Sequence, residues 1–187
     1  VFGSCVVRVT DRNADKNPGD DPGGLKNEYS RVQAFNCDGS RFLVRSTWGG
    51  WYVWDAATLL PIGRAPVPGA EPRWDAADPD MVYYSEGTTL YSVDVNEDES
   101  VLVHDFAADF PDQSLAAVWT RWEGSPSRDS RFWGLMAEDE SWRISALLVY
   151  DREANRVVAT RDLRGLEDQD ADSVTMSPLG NYLLAYF

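Results

Sequence analysis

Histidine is almost missing from this chain: His104 is the only one, and it sits in Val101-Leu-Val-His-Asp-Phe, which reads as an outer strand. A Ser/His/Asp relay or a multi-histidine metal site cannot be assembled around a single imidazole. Neither a GxSxG elbow nor a phosphate-binding glycine loop occurs, so the sequence offers no catalytic constellation. Cysteine is scarce as well. Cys5 and Cys37 stand 32 residues apart without CxxC or Cys/His company, which excludes structural zinc and haem attachment and leaves either one disulfide or two small thiols. Basic residues number 17 against 31 acidic ones, a net charge of -14. Such a field repels phosphate backbones, so nucleic acid is not an expected partner. No run of 18 apolar residues exists, and no membrane-spanning helix is expected.

What the chain has is strand chemistry. Apolar residues make up 43% and aromatics 12%, with eight Trp and eight Tyr, a composition that excludes disorder and suits pleated surfaces. At 187 residues the chain is long enough for a sizeable core.

Order emerges from Asn36 to Asp55, which reads as turn, strand, Gly49-Gly50 turn and a strand closed by Asp. The first unit predicts strands at 29–35, 41–47, 51–54 and 60–64. The second predicts 71–75, 81–85, 90–95 and 101–105. A third predicts 116–122, 131–137, 142–150 and 156–161, and a fourth starts at 173–176. Turn residues Asp38, Asp78, Asp129 and Leu179 are spaced by 40, 51 and 50, and the Asp closing each third strand recurs at Asp55, Asp94 and Asp151. Four strands per 40- to 57-residue unit is the signature of propeller blades. A β-sandwich with evenly spaced hairpins is the alternative, but it has no reason to repeat the same turn at the same place. The expected fold is therefore all-β, a propeller of four-stranded antiparallel blades. Its divisions are a ring-closing strand (1–10), a polar loop (11–25), blades at 26–66, 67–106 and 115–162, and a partial blade at 171–187. Only Leu163 to Ala171 is a candidate for a helical turn, and it lacks an apolar stripe.

Asp38-Gly-Ser-Arg-Phe-Leu-Val, Glu71-Pro-Arg-Trp-Asp with Met81-Val-Tyr-Tyr, and Ser177-Pro-Leu-Gly-Asn-Tyr-Leu-Leu resemble blades of the TolB-type and oligogalacturonate-lyase-type propellers. Those blades carry a Ser-Pro-Asp-Gly-Lys-type turn before the second strand; here Leu179 stands where the motif has Asp, and the third unit lacks its Gly. The resemblance covers residues 29–187 and implies a scaffold, with about half of a six- to eight-bladed ring in view. The lyases of this type use His and metal ligands from several blades, for which this chain has no matching positions.

Two constellations stand out. Asp11, Asn13, Asp15 and Asn17 alternate along one loop, followed by Asp20. This is the first half of an EF-hand-like calcium pattern, although Lys16 replaces the turn Gly and Pro22 the bidentate acid. A solvated loop is the alternative. In propeller geometry the leading ends of the inner strands open at the channel mouth, which places Tyr29, Arg31, Arg73, Trp119, Arg121 and Trp122 there. Arginine forks and aromatic faces suit an acidic polysaccharide or a protein segment, unless each Arg instead pairs with an acid such as Glu28, Glu71 or Glu123. Around Gly49-Gly50, alternation puts Trp51 and Val53 on one face and Tyr52 and Trp54 on the other as core, leaving Trp48 outside. The expected function is an extracytoplasmic (extracellular or periplasmic) binding or scaffold module. The alternatives are a polysaccharide lyase or hydrolase with catalytic residues elsewhere, and a structural interaction protein.

Overall fold

The computed structural model describes residues 3, 6–11, 24–166 and 171–187. Among these residues fourteen strands follow one another, with one turn of 3-10 helix at Phe106–Asp109. Blade 1 comprises β1 (Leu25–Lys26), β2 (Arg41–Ser46), β3 (Trp51–Asp55) and β4 (Pro61–Ala65). In blade 2 are β5 (Ala70–Trp74), β6 (Met81–Glu86), β7 (Thr89–Asp94) and β8 (Ser100–Asp105). Blade 3 holds β9 (Leu115–Trp119), β10 (Phe132–Asp139), β11 (Ile144–Asp151) and β12 (Arg156–Asp162), and β13 (Ser173–Met176) pairs with β14 (Leu183–Tyr186). Each four-stranded sheet is an antiparallel meander in sequence order. Among the described residues the sheets do not close into a ring. No helix in them is long and apolar enough to cross a membrane.

The turn chemistry is what repeats. At the first turn, the backbone N–H of Asn36, Asp75, Ser127 and Ser177 donates to the carbonyl of Arg41, Met81, Phe132 and Tyr182 respectively. The side chains of Asn36, Ser127 and Ser177 accept backbone N–H groups inside that turn, of Arg41, Phe132 and Tyr182 respectively. After each third strand an Asp caps its own loop. Asp55 Oδ1 accepts from Ala57 and Thr58, Asp94 Oδ1 from Asn96, and Asp151 Oδ1 from Glu153 and Ala154. Short polar side chains are favoured here because they supply the acceptor that a turn's backbone lacks.

The sheets stack face to face. Leu43, Trp51, Val53 and Ala65 of blade 1 meet Trp74, Val82, Tyr84 and Val93 of blade 2. Tyr83, Leu90 and Phe106 meet Trp133, Leu135, Leu148 and Tyr150, while Met136 and Ile144 meet Val174. The other face of blade 1, with Phe42, Val44, Tyr52 and Trp54, packs against Val9 and Leu25. The expected alternation around Gly49-Gly50 therefore holds, and Trp48 is exposed. The fourth strands are largely exposed, whereas β5 is largely buried.

Four expectations change. The first inner strand was expected at 29–35, but only Phe35 of that stretch pairs, in a bridge to Phe42; β1 lies upstream. Local bonds take over between them: Val32 N–H donates to Tyr29 O, Asn27 Nδ2 to Tyr29 O, and Phe35 N–H to Gln33 Oε1. Trp142 was expected inside a strand, yet β11 begins at Ile144 and Trp142 sits in the preceding turn. An unexpected 3-10 turn lies at Phe106–Asp109, where Asp105 accepts from Ala107 N–H, while of the expected 163–171 segment Leu163–Leu166 makes a single turn and 167–170 lie outside the described residues. Val6–Thr10 of the expected ring-closing segment carries no strand.

Candidate functional site

Each inner strand is interrupted by a bulge, and the three bulges meet. In blade 2, Ala70 pairs with Ser85 and Arg73 with Tyr83, so one residue is extra. The excess grows in the neighbouring blades. Lys26 pairs with Arg45 and Phe35 with Phe42, nine steps against three. Trp119 pairs with Met136, and Ser127 N–H reaches Phe132 O, eight steps against four. Bulges re-aim side chains and end regular pairing, and here they carry all six residues expected at the mouth or adjoin them.

Arg73 is the centre. It is 4% exposed, and Nη1 lies 2.5 Å from Glu28 Oε2. Nε donates to Gly124 O at 2.7 Å, Nη2 to Trp122 O at 3.1 Å and Nη1 to Pro72 O at 3.0 Å. One guanidinium thus ties blade 2 to the bulges of blades 1 and 3. Glu71 does the same in reverse: Oε2 accepts from Thr120 N at 2.8 Å and Thr120 Oγ1 at 2.9 Å, and Oε1 accepts from Trp122 N. Glu71, Arg121 and Trp122 take left-handed φ of 56°, 62° and 77°, a conformation non-glycine residues avoid unless the surroundings enforce it.

Arg31 and Tyr29 both meet Glu123. The Arg31 pair measures 3.0 Å, with the guanidinium also 4.7 Å above the Tyr186 ring. Glu123 beside the Tyr29 hydroxyl pushes that phenol's pKa up. Arg121 Nε is 3.4 Å from Glu138 Oε1 and Nη1 donates to Ala171 O at 2.9 Å, while Trp119 Nε1 donates to Glu138 Oε2 at 2.9 Å. The structure therefore brings the expected residues together but uses up Arg73 on Glu28 and three backbone carbonyls. It pairs Arg31 with Glu123 across the sheets and Arg121 with Glu138 of its own sheet, which is the Arg–acid pairing set out as the alternative.

Sequence reasoning missed Arg45. It lies on β2, its guanidinium 4.3 Å from the Trp122 ring and 5.8 Å from Trp51. No ion pair with a carboxylate is found for it among the described residues. The signal was an Arg inside the apolar run Phe42-Leu-Val-Arg, in register with Trp51. At the other end of the inner strands a cleft of about 380 Å³ is lined by Phe35, Cys37, Trp74, Arg128 and Ser130 among others. Cys37 is a free, exposed thiol; Cys5 lies outside the described residues.

Of the expected calcium ligands, Asn13, Asp15, Asn17 and Asp20 lie outside the described residues, and Asp11 sits 3.6 Å from Arg8 Nη2. Among the described residues no group of three or more His, Cys, Asp or Glu is placed to hold a metal ion. His104 is on β8, with Nδ1 2.8 Å from Asn155 Oδ1 and Nε2 2.7 Å from Asp109 Oδ2, far along the sheet from the inner strands.

Burial pushes the Glu28 carboxyl up to about 7 despite Arg73, whose charge is shared with three carbonyls, and Glu28 Oε1 has no hydrogen-bond partner. A raised folded-state pKa means that the folded protein binds more protons than the unfolded chain between about pH 4.5 and 7. Stability from this group is then complete below about 4.5 and is lost as pH rises through 7, a change on the order of 3 kcal/mol. Denaturant titrations at pH 5 and pH 8 are expected to show the lower stability at pH 8, with the slope flattened in Glu28→Gln. An unchanged slope in that variant would refute the assignment.

No family model matches the chain, and no curated protein sequence matches it. Among solved structures, oligogalacturonate lyase from Vibrio parahaemolyticus superposes with a TM-score of 0.53 at 12% identity, covering 83% of this chain and 44% of that one. Hydrazine synthase from Kuenenia stuttgartiensis gives 0.49 at 18% identity, covering 81% and 40%. The chain spans less than half the length of either. The lyase likeness concerns the fold, and it agrees with the scaffold-level resemblance of the turn motifs.

Proposed function

We propose that this chain is the binding portion of an extracytoplasmic β-propeller of six to eight blades, and that its ligand is an acidic glycan held at the channel mouth. The observation that carries the reading is Arg45: a guanidinium laid between Trp122 and Trp51, in no ion pair among the described residues although its charge reaches Glu28, in a chain of net charge -14. An unpaired Arg beside aromatic faces offers a carboxylate or sulfate two parallel donors, while a sugar ring stacks alongside. Arg31 adds to it, being 54% exposed even while paired with Glu123. By analogy alone, the name of the lyase it resembles in fold points to uronates.

Titration calorimetry with galacturonate and sulfated oligosaccharides is the test. Binding is expected to weaken about tenfold in Arg45→Ala, in keeping with loss of one charge-assisted hydrogen bond, and to weaken further with added salt. Wild-type affinity in Arg45→Ala, or no binding by the intact protein, would sink the glycan reading.

A further inference from the structure

A groove of about 370 Å³ runs between blades 2 and 3, at the end of the inner strands opposite their first turns. Its floor is made of small residues, Gly69, Ala70 and Ala117 among them, and its walls are Trp119, Trp142 and Glu86. Glu86 is the only charged residue lining it; it ends β6 and has no cation within ion-pair distance among the described residues. Arg143, on the same turn as Trp142, does not line the groove.

The two indoles form a corner, ring centroids 6.2 Å apart and planes at 53°. Trp119 is fixed from behind, its Nε1 bonded to Glu138, which is fully buried. Trp142 is the unusual member. It is 58% exposed and holds φ 60° in a turn where its N–H donates to Asp139 O at 2.8 Å and Asp139 Oδ1 accepts from Ser141 and Arg143. That backbone position favours glycine or asparagine. A large side chain placed there, turned to solvent beside a second Trp, gains little for folding and supplies a surface for binding.

We infer that this groove captures an arginine side chain projecting from a partner protein. Two indole faces and one carboxylate recognise a planar cation by stacking and by charge, and the groove volume suits one side chain rather than a folded ligand. The chain's own packing uses the same contact, Arg45 over Trp122 at 4.3 Å. Overall negative charge draws a cationic segment in. The groove adjoins the mouth, since Trp119 lines the groove and its ring lies 5.5 Å from Trp122, but Trp142 and Glu86 belong to the groove and are not among the anion-binding residues.

The probes are short peptides Gly-Gly-Arg-Gly-Gly and the same peptide with citrulline, which is the neutral isostere, with capped ends, together with tetramethylammonium. Indole N–H resonances of the intact protein are followed by NMR. The arginine peptide is expected to shift the Trp119 and Trp142 signals saturably, with the citrulline peptide about tenfold weaker. Trp142→Gly, which suits the left-handed backbone and so keeps the fold, is expected to lose binding at least tenfold while its melting temperature is unchanged or raised. Glu86→Gln is expected to narrow the gap between the arginine and citrulline peptides. Equal binding of the two peptides, undiminished binding by Trp142→Gly, or tetramethylammonium binding as tightly as the arginine peptide would each overturn the assignment.

Discussion

Replacing Arg73 with alanine is expected to lower the unfolding free energy by about 3–5 kcal/mol, because it leaves a buried carboxylate without its cation. Glu28 is 5% exposed, and the same substitution strips Gly124 and Trp122 of the donors that reach their carbonyls. Glu28 answers in part by taking a proton, so the loss is expected to be smaller at pH 5 than at pH 8. Lysine is expected not to rescue: a single ammonium cannot reach acceptors on three bulges that a planar fork spans. Denaturant unfolding of Arg73→Ala and Arg73→Lys reads the effect directly. A loss below about 1 kcal/mol, the size typical of a surface pair, would show that the bulges hold together without this residue.

Gly124→Ala is expected to be as damaging, about 3 kcal/mol or more, for a steric reason. A Cβ there would lie 2.0 Å from Val174 O and 2.5 Å from Thr120 Cβ. The first is backbone of β13, so relief requires that strand to move away from blade 3, and with it Val174 from the cluster formed with Met136 and Ile144. The same displacement disturbs Thr120, which donates twice to Glu71. Near-ultraviolet dichroism and thermal melting of the variant are the measurements; a wild-type melting temperature would mean that the close approach is not required.

The four-stranded antiparallel sheets were legible because their information is local. Turns at Asp38-Gly39, Asp78 and Asp129 and the capping residues Asp55, Asp94 and Asp151 are read from short stretches, and the strands between them fall within a residue or two of expectation except β9, expected to reach 122 but ending at Trp119. Blade 1's inner strand was not legible. Tyr29-Ser-Arg-Val-Gln-Ala-Phe alternates as a strand does, but its side chains bond their own backbone, and two-residue β1 is too short to show a period. At the candidate site, sequence indicated which residues gather but only in part how they pair. Glu28, Glu71 and Glu123 stood as candidate partners of the arginines, and Arg73–Glu28 and Arg31–Glu123 do pair, but Glu138, fully buried beside Arg121, carried no signal. Their partners lie across bulges whose lengths, one, four and six extra residues, follow from register and not from composition. Trp142 was hidden because a strand pattern runs straight through it.

The three interlocking bulges also have a bearing on lifetime. Each blade is a meander whose strands neighbour one another in sequence, so its hairpins close small loops and form early. Arg73 reaches Glu28 across 45 residues and Gly124 across 51, and these contacts wait until three blades exist. Interactions that arise after the rate-limiting step leave the folding rate alone and slow its reverse. The bulges work as a latch that sets how long the assembled sheets persist, independent of how readily they assemble.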